Sequence, residues 1–387
     1  MARVTVCISG GVDSAVAALL LKRAGHELAG LLLRVLPAGA CDDHWKATLE
    51  AAGAVCDALG IPLEVLDVSG EFEREVIAAF ARGYAEGLTP NPCVICNPAI
   101  KWGLALEHAI AGGAECLATG HYARIERGAA HMPDSTTAGK PLTARGEYWR
   151  GRSSEAPPGR LGGGEEPGPR LLRGVDATKD QSYMLCRLTP RQLARTMLPL
   201  GTYTKEQVRL IAREAGLPVA ERDESQDICF IPDGDHGAFL RTRTGQTPGP
   251  IVDLAGNVLG EHRGLIPYTV GQRKGLGIGA EERLFVIRKD IERNALIVGP
   301  HESALTDECL LGDLNWVSIP APPEGETVHG QVEVRYRTRP IAAELTVLSE
   351  GARVRLREPA VCAPGQAAVL YNGDTLLCGG AIQPPAC

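Results

Sequence analysis

The sequence predicts an α/β fold, a parallel sheet with helices on both faces followed by small antiparallel β-barrel domains. Three observations carry this expectation. Over the first 120 residues, apolar strand runs alternate with helical runs, the pattern of a parallel sheet whose ligands sit beyond the carboxyl ends of its strands. From about residue 237 the chain changes to short strands separated by turn residues, as in antiparallel sheets and barrels. Between these parts, residues 128–170 are dominated by Gly, Pro, Ser and charge, a composition that buries too little apolar surface to offset its ordering entropy.

Taken in order, "RVTVCIS" (3–9) places Val4, Val6 and Ile8 at a period of two and reads as the first strand. After a glycine turn, "SAVAALLLKRAG" (14–25) reads as an Ala/Leu-rich helix that stops at Gly25. "LAGLLLRVL" (28–36), "PLEVLDV" (62–68) and "ECLATG" (115–120) are further strands, while "WKATLEAAGAVCDALG" (45–60), "EFEREVIAAFARGYAEG" (71–87) and "AIKWGLALEHAIAGG" (99–113) are helices. A flexible insertion over 128–170 is expected between strands "ARIER" (123–127) and "PRLLRGV" (169–175). Helical signal returns over 186–218, with Thr204 and Gln207 spaced as a capping box. Turn chemistry at 255–257, 291–294 and 372–374 then punctuates the C-terminal strands. The expected units are a catalytic domain over 1–235, a small central β domain over 236–302 and a C-terminal β-barrel over 303–387.

Composition narrows the function classes. A hydrophobic fraction of 44% with 22% charged residues is that of a soluble globular chain, and no apolar run approaches a membrane span. The N-terminus enters a strand pattern directly, without a signal or transit peptide, so a cytoplasmic location is expected. Twelve cysteines in a reducing compartment are not read as disulfide staples; Cys7, Cys56 and Cys116, in apolar runs, read as small buried hydrophobes. The net charge of −7 argues mildly against generic nucleic-acid binding, although basic clusters occur at 239–245, 271–277 and 334–340.

The first chemical motif is "CISGGVDS" (7–14), at the strand-to-helix turn. Gly10 and Gly11 let backbone N–H groups close on a phosphate at a helix N-terminus, Ser9 and Ser14 offer hydroxyls, and Asp13 can hold magnesium. Neither the Walker nor the dinucleotide fingerprint is present. S-G-G-x-D-S instead resembles the pyrophosphatase (PP) loop of adenine nucleotide alpha hydrolase-like enzymes, which split ATP into AMP and pyrophosphate. Such enzymes adenylate an unreactive oxygen so that a nitrogen or sulfur nucleophile can displace AMP. Amide synthesis and thiolation are both open on this evidence alone.

The second motif is "TPNPCVICNPAIKW" (89–102). Three prolines are expected to keep Cys93 and Cys96 out of regular helix, in a loop facing the substrate. On that expectation a thioredoxin-like pair is disfavoured, since its C-x-x-C opens a helix, and structural zinc lacks a second C-x-x-C. The third motif is "RDESQDICFIPDG" (222–234), containing Cys229. A thiolase needs one thiol to carry persulfide sulfur and another to release it.

Together with "ATGHYAR" (118–124) and "DATKDQSYML" (176–185), these stretches resemble the bacterial tRNA-specific 2-thiouridylases. The resemblance runs over nearly the whole chain except 128–170. It implies ATP-dependent 2-thiolation of the wobble uridine, U34, with magnesium, a tRNA anticodon stem-loop as substrate, and a persulfide donor such as a cysteine desulfurase or sulfur-relay protein. By position it places ATP against Cys7, Ile8, Ser9, Gly10, Gly11, Val12, Asp13, Ser14, Leu33 and Gly120. Asn91, Pro92 and Cys93 fall at the target-base contact with His121 nearby, Cys96 at the nucleophile and Cys229 at the persulfide position. Lys179, Asp180, Gln181, Arg335, Tyr336 and Gln366 fall at tRNA contacts.

One departure is informative, because many members of that family have Asp where Cys93 stands. Three cysteines, Cys93, Cys96 and Cys229, are also a donor set for a 4Fe–4S cluster with one open iron, so persulfide chemistry and a cluster are both carried forward. The competing function class is an ATP-dependent synthetase or amidotransferase that uses the same loop on a small metabolite. Deleting 130–168 is expected to leave folding and activity nearly unchanged; a deletion variant that no longer shifts tRNA in a binding assay contradicts the linker reading.

Overall fold

The computed structural model describes residues 1–127, 168–223, 228–231, 235–245, 247–279 and 282–385. The insertion expected over 128–170 lies, from 128 to 167, outside the described residues. The N-terminal part opens with β1 (Arg3–Cys7), α1 (Val12–Arg23), β2 (Glu27–Arg34), α2 (Asp42–Leu59) and β3 (Leu63–Asp67). Helix α1 is buried on nearly every side from Val12 to Leu21, as expected of an Ala/Leu-rich helix with no polar face. Next, α3 (Ser69–Phe72), a π-helical stretch (Glu73–Ile77) and α4 (Ala78–Ala85) run on as one helix.

The segment holding the C-x-x-C pair departs from expectation. It is helical, with α5 (Pro92–Cys96) leading into a π-helical stretch (Asn97–Ala105) and α6 (Leu106–Ala111). Proline is well placed at the first helical position, where its missing N–H would be unpaired anyway. Pro92 occupies that position, and Asn91 caps the helix, its side chain accepting the Cys93 N–H at 3.0 Å. Pro98 would remove an α-helical hydrogen bond and crowd the carbonyl four residues back. Here the chain widens into π pairing instead, and the Leu106 N–H reaches the carbonyl of Lys101, five residues back.

Strands β4 (Cys116–Ala118), β5 (Ala123–Glu126) and β6 (Arg170–Arg173) follow, then α7 (Pro190–Ala194), β7 (Thr196–Met197) and α8 (Lys205–Glu214). Thr204 and Gln207 form the expected capping box, and Thr189 with Gln192 forms a second. Parallel pairing in the order β3-β2-β1-β4-β7 makes the first sheet. Strand β7 completes that sheet from within a region expected to be helical; two residues carry too little periodicity to read. Strand order reverses between β1 and β4, and α/β sheets bind ligands at such a point.

After α9 (His236–Arg241), β8 (Gly249–Val252), β9 (Val258–His262), β10 (Phe285–Asp290) and β11 (Ala295–Gly299) form a four-stranded sheet. It is mixed rather than wholly antiparallel, because β8 and β11 pair in parallel. The last strands are β12 (Thr306–Trp316), β13 (Thr327–Glu333), β14 (Ile341–Val347), β15 (Ala352–Ala360), β16 (Ala367–Asn372) and β17 (Thr375–Ile382). They pair antiparallel in the order β12-β15-β14-β13-β16-β17, and β12 with β17 closes the barrel.

The barrel is fastened to the first domain by shared structure. The β5/β6 hairpin joins the barrel sheet through Leu172 opposite Thr375, and one apolar core runs from Leu31, Trp102 and Leu117 through Leu171 and Leu185 to Val369 and Leu376. Within this seam Arg173 pairs with Glu333 at 2.5 Å and Asp180 at 3.3 Å, and its guanidinium lies 3.5 Å from the Tyr371 ring centroid. Removing one partner of a buried ion network strands the others. Arg173→Met is therefore expected to cost about 3 kcal/mol, read as a lower urea midpoint; an unchanged midpoint would show that the network carries little stability.

Candidate nucleotide and thiol site

The phosphate loop is built at the end of β1. Gly10 has φ +71° and an added Cβ would lie 3.0 Å from the Thr48 carbonyl oxygen and 3.1 Å from Ala51, so both conformation and space demand glycine. Gly11 precedes α1 without any side-chain cap, leaving the helix-terminal N–H groups available to an anion. The Ser14 hydroxyl accepts the Ser9 N–H at 3.1 Å and donates to the Gly11 carbonyl at 3.0 Å, which fixes the loop from within. Gly120, following β4, abuts the start of α1, where an added Cβ would meet the Asp13 carbonyl carbon at 2.8 Å.

Sequence reasoning missed two cations here. Lys205, at the start of α8, donates from Nζ to Asp13 Oδ1 at 2.7 Å, and the Tyr122 hydroxyl donates to the same oxygen at 2.7 Å. Arg222 donates to the Gly10 carbonyl at 2.8 Å. The capping box marked Lys205 as a first-turn residue, but its reach across 192 positions to Asp13 is purely tertiary. A magnesium ion typically takes one or two carboxylates plus phosphate oxygens, a demand that Asp13 beside the open helix terminus fits.

Beside the loop lies a thiol pocket. Cys7 ends β1, Cys93 and Cys96 come from α5, and Cys229 follows the sheet domain in sequence. Cys96 senses Lys101, Cys229, Cys93 and Cys7, so these groups lie together. Burial pushes the Cys96 thiol up to about 12 and that of Cys229 to about 11, while Lys101 pulls both down. Cys93 and Cys229 present surface to solvent and Cys96 is half-buried; the exposed pair are the reachable thiols, although surrounding protein disfavours their charged forms. Cys7, expected to be core filling, is only half-buried and belongs to this pocket, whereas Cys56 and Cys116 are buried as expected.

His121 donates or accepts at Thr119 Oγ1 over 2.7 Å and rests 5.4 Å from the Trp102 ring. Burial first, and Lys101 second, hold it well below the usual imidazole range, so it serves as a neutral hydrogen-bonding group. Leu33 packs half-buried at the end of β2. Tyr336 comes from the barrel; burial raises its phenol, with small further contributions from Asp180 and Cys93, and its ring lies 5.8 Å from Tyr183; Arg335 beside it is exposed.

Other predicted residues occupy the seam instead. A carboxylate has about four acceptor positions, and Asp180 fills them with Gly174 N–H, Ser182 N–H, the Ser182 hydroxyl and Arg173. It is 9% exposed and has no acceptor left for RNA. Gln181 accepts the Tyr122 N–H at 3.0 Å, and Gln366 donates to the Thr89 carbonyl at 2.5 Å. Lys179 is half-buried, its N–H bonded to the Asp176 carbonyl. Among the described residues no group of three or more His, Cys, Asp or Glu is placed to hold a metal ion; the iron–sulfur cluster considered for Cys93, Cys96 and Cys229 stays an expectation from the donor set alone. The described helices include none long and apolar enough to cross a membrane.

Comparison with known proteins covers the whole length. Three family models match in succession, a tRNA methyl transferase HUP domain over residues 2–233, a tRNA methyl transferase PRC-barrel domain over 237–300 and an aminomethyltransferase beta-barrel domain over 306–382. The chain is 44% identical to a tRNA-specific 2-thiouridylase MnmA of Chloroflexus aggregans, covering 100% of this chain and 99% of the relative. It is 43% identical to that of Geobacter metallireducens, covering 98% and 96%. Among solved structures, the U34-tRNA thiolase NcsA of Methanococcus maripaludis with its 4Fe–4S cluster aligns with a TM-score of 0.33 at 15% identity, over 63% of this chain and 67% of that one. A likeness that slight bears on neither ligand nor mechanism.

Overpacking at a tight backbone contact costs about 1–3 kcal/mol. Gly120→Ala is therefore expected to weaken ATP binding about tenfold or more while leaving thiol reactivity unchanged; wild-type ATP affinity by calorimetry would remove Gly120 from the nucleotide site.

Proposed function

From the premise that this chain belongs to the tRNA-specific 2-thiouridylase family, we propose that it uses ATP to convert the wobble uridine of tRNA, U34, to 2-thiouridine. The observation that carries this reading is the adjacency of phosphate loop and thiols. Cys7 ends the strand that delivers the Ser9–Ser14 loop, and Cys7 is also one of the groups sensed by Cys96. A carbonyl oxygen activated over the loop would thus lie beside its sulfur source.

The uridine C2 carbonyl is unreachable inside an anticodon stack, so the base must be turned out into the crevice beyond β1 and β4. Asn91, Pro92 and Cys93 at the start of α5, with neutral His121 nearby, are the groups that would receive it. The C2 oxygen attacks the α-phosphorus of ATP, and pyrophosphate departs along the uncapped N-terminus of α1, helped by Lys205 and Arg222. Magnesium held near Asp13 would supply neutralising charge for the phosphates.

Cys229 is the exposed thiol of this pocket outside the Cys93/Cys96 pair, and it is the persulfide carrier in this reading. A persulfide donor protein transfers a sulfur atom to it. The terminal sulfur then attacks C2 and AMP leaves with the C–O electron pair. The Cys96 thiolate attacks the Cys229 sulfur, which frees the thiocarbonyl and leaves a Cys96–Cys229 disulfide; a two-electron thiol reductant resets the pair. Basic residues of the barrel, Arg335 among them, and Tyr336 would face the RNA, so binding should weaken with salt.

Cys229→Ser is expected to abolish 2-thiouridine formation and leave tRNA binding intact, because it removes a sulfur carrier and no phosphate contact. Thiolation at the wild-type rate, measured by nucleoside analysis, would remove Cys229 from the reaction.

A further inference from the structure

Among the described residues, Asp13 is held through one side-chain oxygen. The Tyr122 hydroxyl and the Lys205 ammonium each donate to Oδ1 at 2.7 Å, and no described donor reaches Oδ2. A carboxylate oxygen offers about two lone-pair positions, so Oδ1 is filled. The Asp13 side chain is nonetheless 36% exposed, which leaves Oδ2 as the oxygen still able to meet a ligand.

Both donors are themselves fixed by one loop. Gln181 brackets the backbone of Tyr122, its side chain accepting the Tyr122 N–H at 3.0 Å and its own N–H donating to the Tyr122 carbonyl at 2.8 Å. Gly174 closes over that carbonyl, where an added Cβ would come within 2.8 Å of the oxygen. Earlier in the same loop, Asp176 accepts the Lys205 N–H at 2.9 Å through Oδ2, while Thr178 donates its N–H and hydroxyl to Asp176 Oδ1 at 3.0 and 2.6 Å. Tyr122 and Lys205 are 3% and 9% exposed, so neither has room to swing to other partners. Residues 176–181 thus set both groups that turn Asp13, and Gln181, expected at an RNA contact, acts on the nucleotide site instead.

Groups that orient a ligating carboxylate tune a metal without touching it. Calcium accepts both oxygens of a carboxylate, whereas magnesium demands regular octahedral geometry, so filling one oxygen favours magnesium. We propose that Tyr122 is a positioning and specificity-determining residue of the nucleotide site: held by Gln181, it joins Lys205 in filling Asp13 Oδ1, so that Asp13 meets the metal of a bound ATP through Oδ2 alone. The proposal deepens the ATP-dependent reading above and rests on it.

The test uses the full-length protein and an ATP analogue that cannot be split between its α- and β-phosphates, its binding measured by calorimetry with magnesium, with calcium and with EDTA. Losing a group that orients a metal ligand costs about 10–100-fold in metal affinity. In Tyr122→Phe the tightening that magnesium brings should fall about tenfold or more. The tightening by calcium should fall less, and the affinity in EDTA should hold because the phosphate loop is untouched. Gln181→Leu should repeat this loss, while Gln181→Glu, which keeps an acceptor for the Tyr122 N–H, should retain most of the magnesium effect. A wild-type magnesium effect in Tyr122→Phe, an equal fall under all three conditions, or Gln181→Glu as impaired as Gln181→Leu would overturn the proposal. A wild-type protein that binds the analogue under none of the conditions would overturn the ATP reading itself.

Discussion

A proline inside a helix withholds one backbone hydrogen bond and crowds the carbonyl a turn earlier, and the segment after Cys96 has to accommodate Pro98 under that constraint. Widening to π pairing is the accommodation, braced by Gln192 on two carbonyls and by Trp102 on Thr196. Because π pairing changes which residues share a face, the accommodation also decides what meets the two cysteines. The thiol pocket, with its one lysine and its neutral histidine, follows from that change of pitch.

The same helix ties the pocket to the rest of the molecule. Its N-cap Asn91 also contacts the Met184 sulfur at 3.4 Å, and Asn97 donates to the Met184 carbonyl at 2.9 Å. Met184 lies in the turn whose Asp180 and Tyr183 fasten the barrel, Tyr183 donating to the Ala367 carbonyl at 2.7 Å. A barrel loop reaches back to the residues just before α5, the Thr89 N–H bonding the Pro364 carbonyl at 2.8 Å. Barrel and cysteine helix therefore share partners, so the position of one constrains the other.

Electrostatics in the site divides between two neighbourhoods. Around the loop, Lys205 and Arg222 add fixed positive charge to an uncapped helix terminus, an arrangement suited to phosphate. Around the thiols, burial favours neutral forms, opposed by Lys101 and, at Cys229, also by a backbone hydrogen bond. A nucleophile kept neutral until its partners assemble is protected from stray oxidation and alkylation, since thiolate is the reactive form.

The sequence by itself determined the α/β alternation, the phosphate loop at the end of β1, the capping box at Thr204 and the residue types of the thiols. Each of these is encoded locally, as apolar period, glycine placement or residue type. Tertiary structure alone decided that "PNPCVICNP" starts a helix, because proline is disruptive in a helix interior but favourable at its first turn, and only the cap at Asn91 shows which applies. It likewise decided that Asp180 holds the seam, that β7 closes the sheet, and that Lys101, Lys205 and Arg222 attend the site. These outcomes depend on partners far apart in the chain, such as Asp13 with Lys205, and no local pattern records such pairs.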